Sequence, residues 1–371
     1  MKGHWIFLII CGSCLLACEE SEILPADPAG NDPTDTLAPG NLAENYFPPL
    51  QGDSWDTVSP DSMKWNTENL RQLLEFLGSS NTYGFIILKK GRIATEHYWN
   101  DWNQHTSHPI ASAGKSITSV LIGLAQQQGL LTVREPTSAY LGNRWTSMAE
   151  RKEKMIQLRH HLSMTTGLDE SDDQCTSSSC LKYKADAGQR WVYHNGPYNL
   201  LHKVLEKVSG QTIDEFTKTM LAVKIGMRNW SWTDHTLDLS TRDMARFGLL
   251  IENEGVWNGE NVIVDKAYFQ AMVTSSNPFN KAYGYLWWLN GKSGYMIPGE
   301  NDVKEGKLVK HAPADMFAAM GKGDIKIYVV PSLDIVVVRH GDDTGTNTFG
   351  PSSFDEALWQ RLGSVMNLDE K

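Results

Sequence analysis

Runs of residues typical of β-strands lie near both ends of the body of this chain, and helical patterns fill the middle. The run "GFIILKKGRIATEHYW" predicts a β-hairpin that turns at "KKG", directly after a helix predicted over 67–78. Three more predicted strands, "YLWWLN", "DIKIYVVP" and "DIVVVRHG", follow Gly284, and a last helix is predicted over 353–366. This order predicts one sheet built from the two ends of the chain, with a helical lobe over about 105–275 inserted between them.

The middle of the chain carries apolar residues at helical spacing. In the stretch 112–128, for example, Ile117, Val120, Leu121 and Leu124 fall on one face of a helix. Further helices are predicted over 155–168, 197–208, 212–224 and 240–253.

Residues 1–17 have the features of a bacterial lipoprotein signal peptide. Lys2 supplies a positive charge, a short apolar stretch follows it, and "LLAC" at the end resembles a lipobox. We therefore expect cleavage before Cys18, a lipid on its sulfur, and a location at the bacterial cell envelope, on the periplasmic face of the outer membrane or on the cell surface. An ordinary signal peptide and a retained membrane anchor are the alternatives. Residues 18–50, rich in Pro, Asp, Glu and Gly, are predicted to form a flexible tether before a domain over 51–371.

Charge and cysteine content limit the possible partners. The formal net charge is −10 and no basic tract is present, which argues against nucleic acid as a partner.

Apart from Cys18 and the cysteines of the signal peptide, the chain contains Cys175 and Cys180, and an oxidising compartment favours a small-loop disulfide between them. A metal site that used both would need further ligands, and His105 and His108 also lack carboxylate or cysteine ligands at metal spacing. We expect no metal and no other cofactor.

The stretch "HPIASAGKSITSVLIG", residues 108–123, allows two interpretations. Its "AGKS" resembles the end of a phosphate-binding loop, but Pro109 stands where that loop needs a glycine. The overlapping "SAGK" is an S-x-x-K motif, which places Ser112 and Lys115 on one face of a helix, about 5–6 Å apart at Cβ. Serine needs a neighbouring base to become a nucleophile, and lysine is such a base if burial or a nearby cation lowers its pKa. The stretch therefore favours a nucleophilic serine over a nucleotide site.

Two later motifs fit the same chemistry. The "YHN" at 193–195 supplies Tyr193, whose hydroxyl can transfer protons, and Asn195, whose amide can hydrogen-bond both the lysine and a substrate amide. The late strand "MFAAMGKGDIKIYVVP" contains small residues that allow close approach to a ligand. A backbone N–H of this strand, paired with that of Ser112, would form an oxyanion hole.

In this order, Ser112-x-x-Lys115, Tyr193-x-Asn195 and the glycine-rich strand resemble the penicillin-recognising serine hydrolases. This superfamily includes class C β-lactamases, D-alanyl-D-alanine carboxypeptidases, related esterases and 6-aminohexanoate-dimer hydrolases. Segments such as "HHLSMTTGLDES", "STRDMARFGLLIENEG" and "IYVVPSLDIVVVRHG" extend the likeness over about residues 45–366. The resemblance implies an α+β fold of the β-lactamase/transpeptidase type, an α/β sandwich whose antiparallel sheet is flanked by helices.

The resemblance also implies a role for each motif residue. Ser112 would be the acylated nucleophile, and Lys115 the base or the electrostatic partner that activates it. Tyr193 would relay protons to the leaving group and from water, and Asn195 would orient the lysine and the substrate. The backbone of Ser112 and the Gly321-Lys322 region would hold the oxyanion. Which residue first takes the serine proton stays open.

The third motif departs from the family pattern. Serine β-lactamases and carboxypeptidases usually carry K-T-G or H-T-G on this strand, where a cation and a hydroxyl help bind the substrate carboxylate, but the matching residues here are Ala319-Met320-Gly321. The lost charge-assisted contact is worth about 1.5–3 kcal/mol. This favours hydrolysis of a small ester or amide over β-lactamase or carboxypeptidase activity, although Lys322 would compensate if its side chain turned into the cleft.

The expected partners follow from this choice. We expect a small ester, amide or peptide as substrate, and contact with the membrane only through the lipid on Cys18. A non-catalytic member that uses the same cleft to bind a cell-wall peptide or a protein partner is the remaining alternative.

Overall fold

The computed structural model describes residues 42, 44–300, 302–345 and 350–368. The predicted signal peptide, Cys18 and most of the predicted tether lie outside these residues. All described residues fall within one compact unit. None of the helices in this part of the chain combines the length and the apolar character needed to cross a bilayer.

The bounds of the elements are as follows. The α-helices are α1 (Thr67–Gly78), α2 (Gly114–Gln127), α3 (Ser138–Leu141), α4 (Glu150–Glu153), α5 (Leu158–Leu162), α6 (Asn195–Ser209), α7 (Ile213–Thr217), α8 (Val223–Ile225), α9 (Thr241–Glu252), α10 (Lys266–Met272) and α11 (Ser353–Met366). The strands are β1 (Thr82–Lys89), β2 (Arg92–Tyr98), β3 (Ser107–Pro109), β4 (Trp230–Thr233), β5 (Thr236–Ser240), β6 (Val256–Trp257), β7 (Glu260–Asn261), β8 (Trp288–Leu289), β9 (Gly294–Tyr295), β10 (Lys304–Glu305), β11 (Phe317–Gly321), β12 (Ile325–Val330) and β13 (Ile335–Gly341).

A six-stranded sheet joins the two ends of the described chain. Its strands lie in the order β2-β1-β13-β12-β11-β8, and each neighbouring pair is antiparallel. The register places Phe85 of β1 opposite Arg339 of β13, so an early strand pairs directly with a late one. The predicted antiparallel sheet and the α+β class are confirmed.

Helices cover both faces of this sheet. Gly248 of α9 packs against Ile327, and Trp359 of α11 contacts the ring of Tyr328. Because successive residues of a strand point to opposite faces, these two contacts place α9 and α11 in different layers. Helix α1 packs beside α11. The arrangement is a sandwich of helices around a sheet, as the resemblance implied.

The chain between β2 and β8 carries α2 to α10 and a small sheet in the order β3-β5-β4. Helix α2 is buried from Gly114 to Ala125, and a helix buried on all sides is held by core packing. Its first turn therefore offers a rigid support for a functional residue. Helix α9 belongs to the same stretch of chain and packs directly on β12 and β13.

Two elements are shorter than the sequence predicts. The helix predicted over 155–168 reduces to α5, because the backbone turns at Met164, where φ is 58°. The strand predicted for "YLWWLN" reduces to β8, because Leu286 has φ 61° and interrupts the extended backbone. A left-handed conformation is unusual for either residue type, and periodicity does not signal it.

Candidate active site

Ser112 lies in a short 3₁₀ turn, Ala111–Ala113, that leads directly into α2. The residue before it, Ala111, has φ 48°, in the left-handed region that residues other than glycine rarely adopt. Such strain persists only where the surroundings impose it, and it clusters at functional sites. The backbone reversal places the half-buried Ser112 just before the start of a helix that is buried from Gly114 to Ala125.

Lys115 lies one turn further along and faces Ser112. Its Nζ is 3.2 Å from Ser112 Oγ, and the side chain is only 6% exposed. The rings of Tyr193 and Tyr198 lie beside the amine, with centroids 5.2 Å and 4.3 Å from Nζ. Burial lowers the pKa of Lys115 to about 7, against an opposing effect of the Asp173 carboxylate. A substantial share of this amine is therefore neutral at neutral pH and able to accept a proton.

The hydroxyl of Tyr193 forms a cluster with the hydroxyl of Ser112 and the amine of Lys115. Its hydroxyl is hydrogen-bonded to Ser112, and its ring stacks on Trp288 with centroids 6.4 Å apart. Burial raises the pKa of Tyr193 above its ordinary value, although the hydrogen bond with Ser112 opposes this effect. The side chain is therefore a neutral phenol at neutral pH, suited to relaying a proton.

Asn195, the first residue of α6, does not make the contact that the resemblance implied. Its side-chain amide donates to the Asp173 carboxylate, and its backbone N–H donates to Asp173 Oδ1 at 2.9 Å. Among the residues that the structure describes, no hydrogen bond joins Asn195 to Lys115. The structure therefore does not show the expected direct contact with the lysine: the Asn195 side-chain amide nitrogen is turned to Asp173, and within the described residues its amide oxygen, which could accept from Lys115, makes no hydrogen bond.

The loop that carries Asp173 is fastened to the start of α6. Cys175 and Cys180 form a disulfide. The backbone N–H of Gly196 donates to the Asp173 carbonyl oxygen at 2.6 Å, and a Cβ on Gly196 would lie 2.2 Å from the Cys175 carbonyl oxygen. Only glycine permits this approach. Because the two sulfurs are bonded to each other, they are not thiolates and do not form a metal site.

The third predicted motif lies on β11, beside the turn that carries Ser112. A Cβ on Gly321 would lie 2.4 Å from the Ile110 carbonyl oxygen and 3.2 Å from the Ala113 nitrogen, so the two backbones are in direct contact here. Ala319 is fully buried within the strand and does not line the cleft. Lys322, just past the strand, is exposed and does line it.

These groups open into one cleft of about 630 Å³. Five of the predicted site residues line it: Ser112, Lys115, Tyr193, Asn195 and Lys322. Its other walls come from several parts of the chain, and the remaining lining residues are Ala111, Asp173, Gln174, Tyr198, Asn199, Asp234, His235, Thr236, Pro298 and Gly299.

Comparison with known proteins decides the family. The family model described as Beta-lactamase matches residues 67–361. The chain belongs to the Beta-lactamase family. The predicted resemblance to penicillin-recognising serine hydrolases is thereby confirmed, and the match includes all three motifs. An uncharacterised protein of Alkalihalophilus pseudofirmus is 23% identical over 337 residues, covering 80% of this chain and 91% of that protein.

Solved structures of other proteins share the fold. A protein of Bacillus anthracis, provisionally assigned as a 6-aminohexanoate-dimer hydrolase, matches with a TM-score of 0.65 and 16% identity over 88% of both chains. A provisionally assigned β-lactamase of Bacteroides dorei matches with a TM-score of 0.64 and 14% identity over 82% of this chain and 99% of that one. A penicillin-binding protein homologue of Caulobacter crescentus matches at 0.62 and 12%, over 84% and 100%. At these identities the likeness concerns the fold alone.

Several residues of this Beta-lactamase family cleft carry little signal in the sequence. Tyr198 and Asn199 follow Asn195 by three and four positions on α6, so helical periodicity places them on the same wall. His235 comes from the turn between β4 and β5, and Pro298 from the loop after β9. No local pattern connects these two positions with the motifs, because their place in the cleft depends on the tertiary fold.

Proposed function

We propose that this protein is a serine hydrolase that forms an acyl-enzyme on Ser112, with a small ester or amide as substrate. One observation carries the proposal: a buried amine whose pKa is lowered to about 7 lies 3.2 Å from the Ser112 hydroxyl. Serine is a poor nucleophile by itself. Nucleophilic catalysis therefore needs a base of suitable pKa within hydrogen-bond reach of the serine hydroxyl.

The proposed acylation begins with Lys115. Neutral Lys115 takes the proton of Ser112 as Oγ attacks the substrate carbonyl, and the tetrahedral oxyanion accepts hydrogen bonds from the backbone of Ser112 and of the Gly321-Lys322 region. Tyr193 passes the proton from the lysine to the leaving group, which departs as an alcohol or amine. In deacylation, water attacks the carbonyl of the acyl-enzyme ester and the bond to Ser112 Oγ breaks. A proton from the water returns to Oγ through Tyr193, the acyl group leaves as a carboxylic acid, and the free serine is restored. We assign the first proton transfer to Lys115 because Tyr193 is held in its neutral form.

The substrate class rests on the third motif. Ala319 and Met320 supply neither the cation nor the hydroxyl that holds a carboxylate in K-T-G enzymes, so an uncharged ester or amide loses no contact at this point. The test is a fluorophosphonate probe and a short-chain p-nitrophenyl ester, applied to the purified domain and to Ser112→Ala. We expect labelling and hydrolysis by the natural sequence only. Equal activity of the two proteins, or none in either, would refute the proposal.

A second candidate, β-lactamase or D-alanyl-D-alanine carboxypeptidase activity, is favoured by one observation. Lys322 lines the cleft and brings a cation to the end of β11, where it can take part of the role of the missing K-T-G cation. Nitrocefin and a D-alanyl-D-alanine peptide separate the candidates. Fast turnover of either, together with weak ester cleavage and a large loss in Lys322→Met, would place this candidate first.

We also propose that the protein is anchored to the cell envelope by a lipid on Cys18, and that this lipid is its contact with the membrane. The support is the sequence alone, in which a short apolar stretch ends at "LLAC". Metabolic labelling with an alkyne fatty acid is expected to modify the natural chain and not Cys18→Ala. Labelling of both chains would contradict the anchor.

A further inference from the structure

We infer that Asp173 is a positioning residue of this site, that it acts through Asn195 and Lys115, and that the Cys175–Cys180 disulfide holds it in place. The inference rests on the proposed function and deepens it. Asp173 itself belongs to none of the three motifs.

The first step is the orientation of Asn195. The Asp173 carboxylate accepts the Asn195 backbone N–H at 2.9 Å, the Asn195 side-chain amide, and the Gln174 side-chain amide at 2.9 Å. An ionised carboxylate only accepts hydrogen bonds, so it fixes which end of the Asn195 amide faces it. The nitrogen points to Asp173, and the amide oxygen is left as the group that Asn195 presents elsewhere, on the wall of the cleft.

The second step is the charge that Lys115 experiences. Asp173 is the charged side chain that raises the pKa of Lys115, in opposition to burial. The histidines nearby are neutral at neutral pH, because burial lowers the pKa of His202 to about 3 and lowers that of His235. The other groups that face or border the amine are Ser112, the phenols of Tyr193 and Tyr198, and, elsewhere in the cleft, Asp234 and Lys322.

The third step is the support of Asp173 itself. Its carbonyl oxygen accepts the Gly196 N–H at 2.6 Å, and the Cys175 carbonyl sits where a side chain on Gly196 would be. The disulfide closes a ring from Cys175 to Cys180 directly after this contact. A covalent ring reduces the alternative conformations of the loop, so it keeps the carboxylate at the start of α6. With three donors already on Asp173, we assign it a role in positioning rather than in binding a substrate ammonium.

The experiment compares Asp173→Asn with Asp172→Asn, a matched change at the neighbouring exposed carboxylate. The substrate is p-nitrophenyl acetate, a neutral ester, so that loss of an ammonium-binding group has no effect. For Asp173→Asn we expect kcat to fall about tenfold or more, the equivalent of about 1.4 kcal/mol. The acidic limb of the kcat/KM profile should move to lower pH, since removal of the negative charge favours neutral Lys115. Asp172→Asn should match the natural sequence in both respects.

A double-mutant cycle separates the effect of Asp173 on the orientation of Asn195 from its effect on the charge of Lys115. In an Asn195→Ala background, Asp173→Asn should cause little further loss of kcat but still move the acidic limb, because only the first effect passes through Asn195. Wild-type kcat and an unmoved limb in Asp173→Asn, or losses that multiply in the cycle, would overturn the inference. Activity that survives Ser112→Ala would instead contradict the proposed function.

The disulfide offers a variant that leaves Asp173 intact. The Cys175→Ser, Cys180→Ser double variant should retain fluorophosphonate labelling of Ser112 while kcat falls severalfold. This variant also answers the question if Asp173→Asn does not fold, which circular dichroism would reveal. An unchanged kcat in the folded double variant would contradict the role given to the disulfide.

Discussion

Lys115 Nζ lies 3.2 Å from Ser112 Oγ, and this hydroxyl is the only hydrogen-bond partner of the amine within the described part of the chain. Aromatic rings supply much of the remaining contact, with the Tyr198 centroid 4.3 Å away. An ammonium carries three donors, so a buried site with a single partner disfavours the charged form. A neutral amine next to a serine hydroxyl is a base, and the predictions below depend on this pair.

The pH–rate profile should report the titration of Lys115. For a neutral ester, kcat/KM should rise as pH increases through about 7, because the base must lose its proton before it can accept one from Ser112. Tyr193 adds no second rise near neutrality, since burial keeps its pKa above the ordinary value. Initial rates between pH 5 and 9 test this, with circular dichroism to show that the fold persists. A flat profile would count against Lys115 as the base.

Replacement of Lys115 should reduce activity and increase stability. Lys115→Met removes the base, and we expect kcat to fall by several orders of magnitude.

The same variant should be more stable than the natural chain, because its fold avoids the cost of burying an ammonium, which is on the order of a few kcal/mol. The pKa is about 7 in the fold and near 10.5 when unfolded, so between these values the unfolded chain binds the extra proton and the stability of the natural chain rises with pH. The gain in Tm for Lys115→Met should therefore be larger at pH 6 than at pH 9.5. A variant less stable than the natural chain at pH 6 would contradict this account.

Tyr193→Phe isolates the hydroxyl from the ring. The ring still stacks on Trp288, so the melting temperature should change little, whereas kcat should fall by about 10²–10⁴ because the proton relay is lost. Exposed Tyr183 supplies the control, and Tyr183→Phe should behave as the natural sequence. The loss in a Tyr193→Phe, Lys115→Ala double variant should be smaller than the product of the single losses, since the two groups act as a unit. A loss equal to that product would argue for independent roles.

Gly321→Ala tests the contact between β11 and the turn of Ser112. The new Cβ would lie 2.4 Å from the Ile110 carbonyl oxygen, and that backbone has to shift to accommodate it. We expect a loss of about 1–3 kcal/mol in the free energy of unfolding and slower labelling of Ser112 by a fluorophosphonate. Chemical denaturation and the labelling rate measure the two effects. Normal stability with normal labelling would show that the close approach is dispensable.

The sequence predicts the parts of this molecule that depend on local patterns. Alternating and continuous apolar runs predict β1, β12 and β13, and their placement at the two chain ends predicts a shared sheet. The S-x-x-K spacing predicts the Ser112–Lys115 pair, because i and i+3 residues of a helix are always neighbours.

Other features depend on contacts between distant residues, and local patterns do not reveal them. Asn195 and Asp173 are 22 positions apart, and their hydrogen bonds depend on where the disulfide loop meets α6. The left-handed backbone at Ala111 occurs where the Ser112 turn contacts β11, a strand distant in sequence, and an alanine gives no hint of it. The lowered pKa of Lys115 likewise follows from burial beneath Tyr193 and Tyr198, which only the tertiary structure specifies.

The most direct test of the proposed acyl-enzyme is the intact mass of the purified domain after brief exposure to an activated ester or a fluorophosphonate. We predict one added group per chain, located on Ser112 by peptide mapping, formed faster at pH 8 than at pH 6, and missing from Ser112→Ala. An unmodified chain, or an adduct that maps elsewhere and persists in Ser112→Ala, would contradict the claim that Ser112 is the nucleophile.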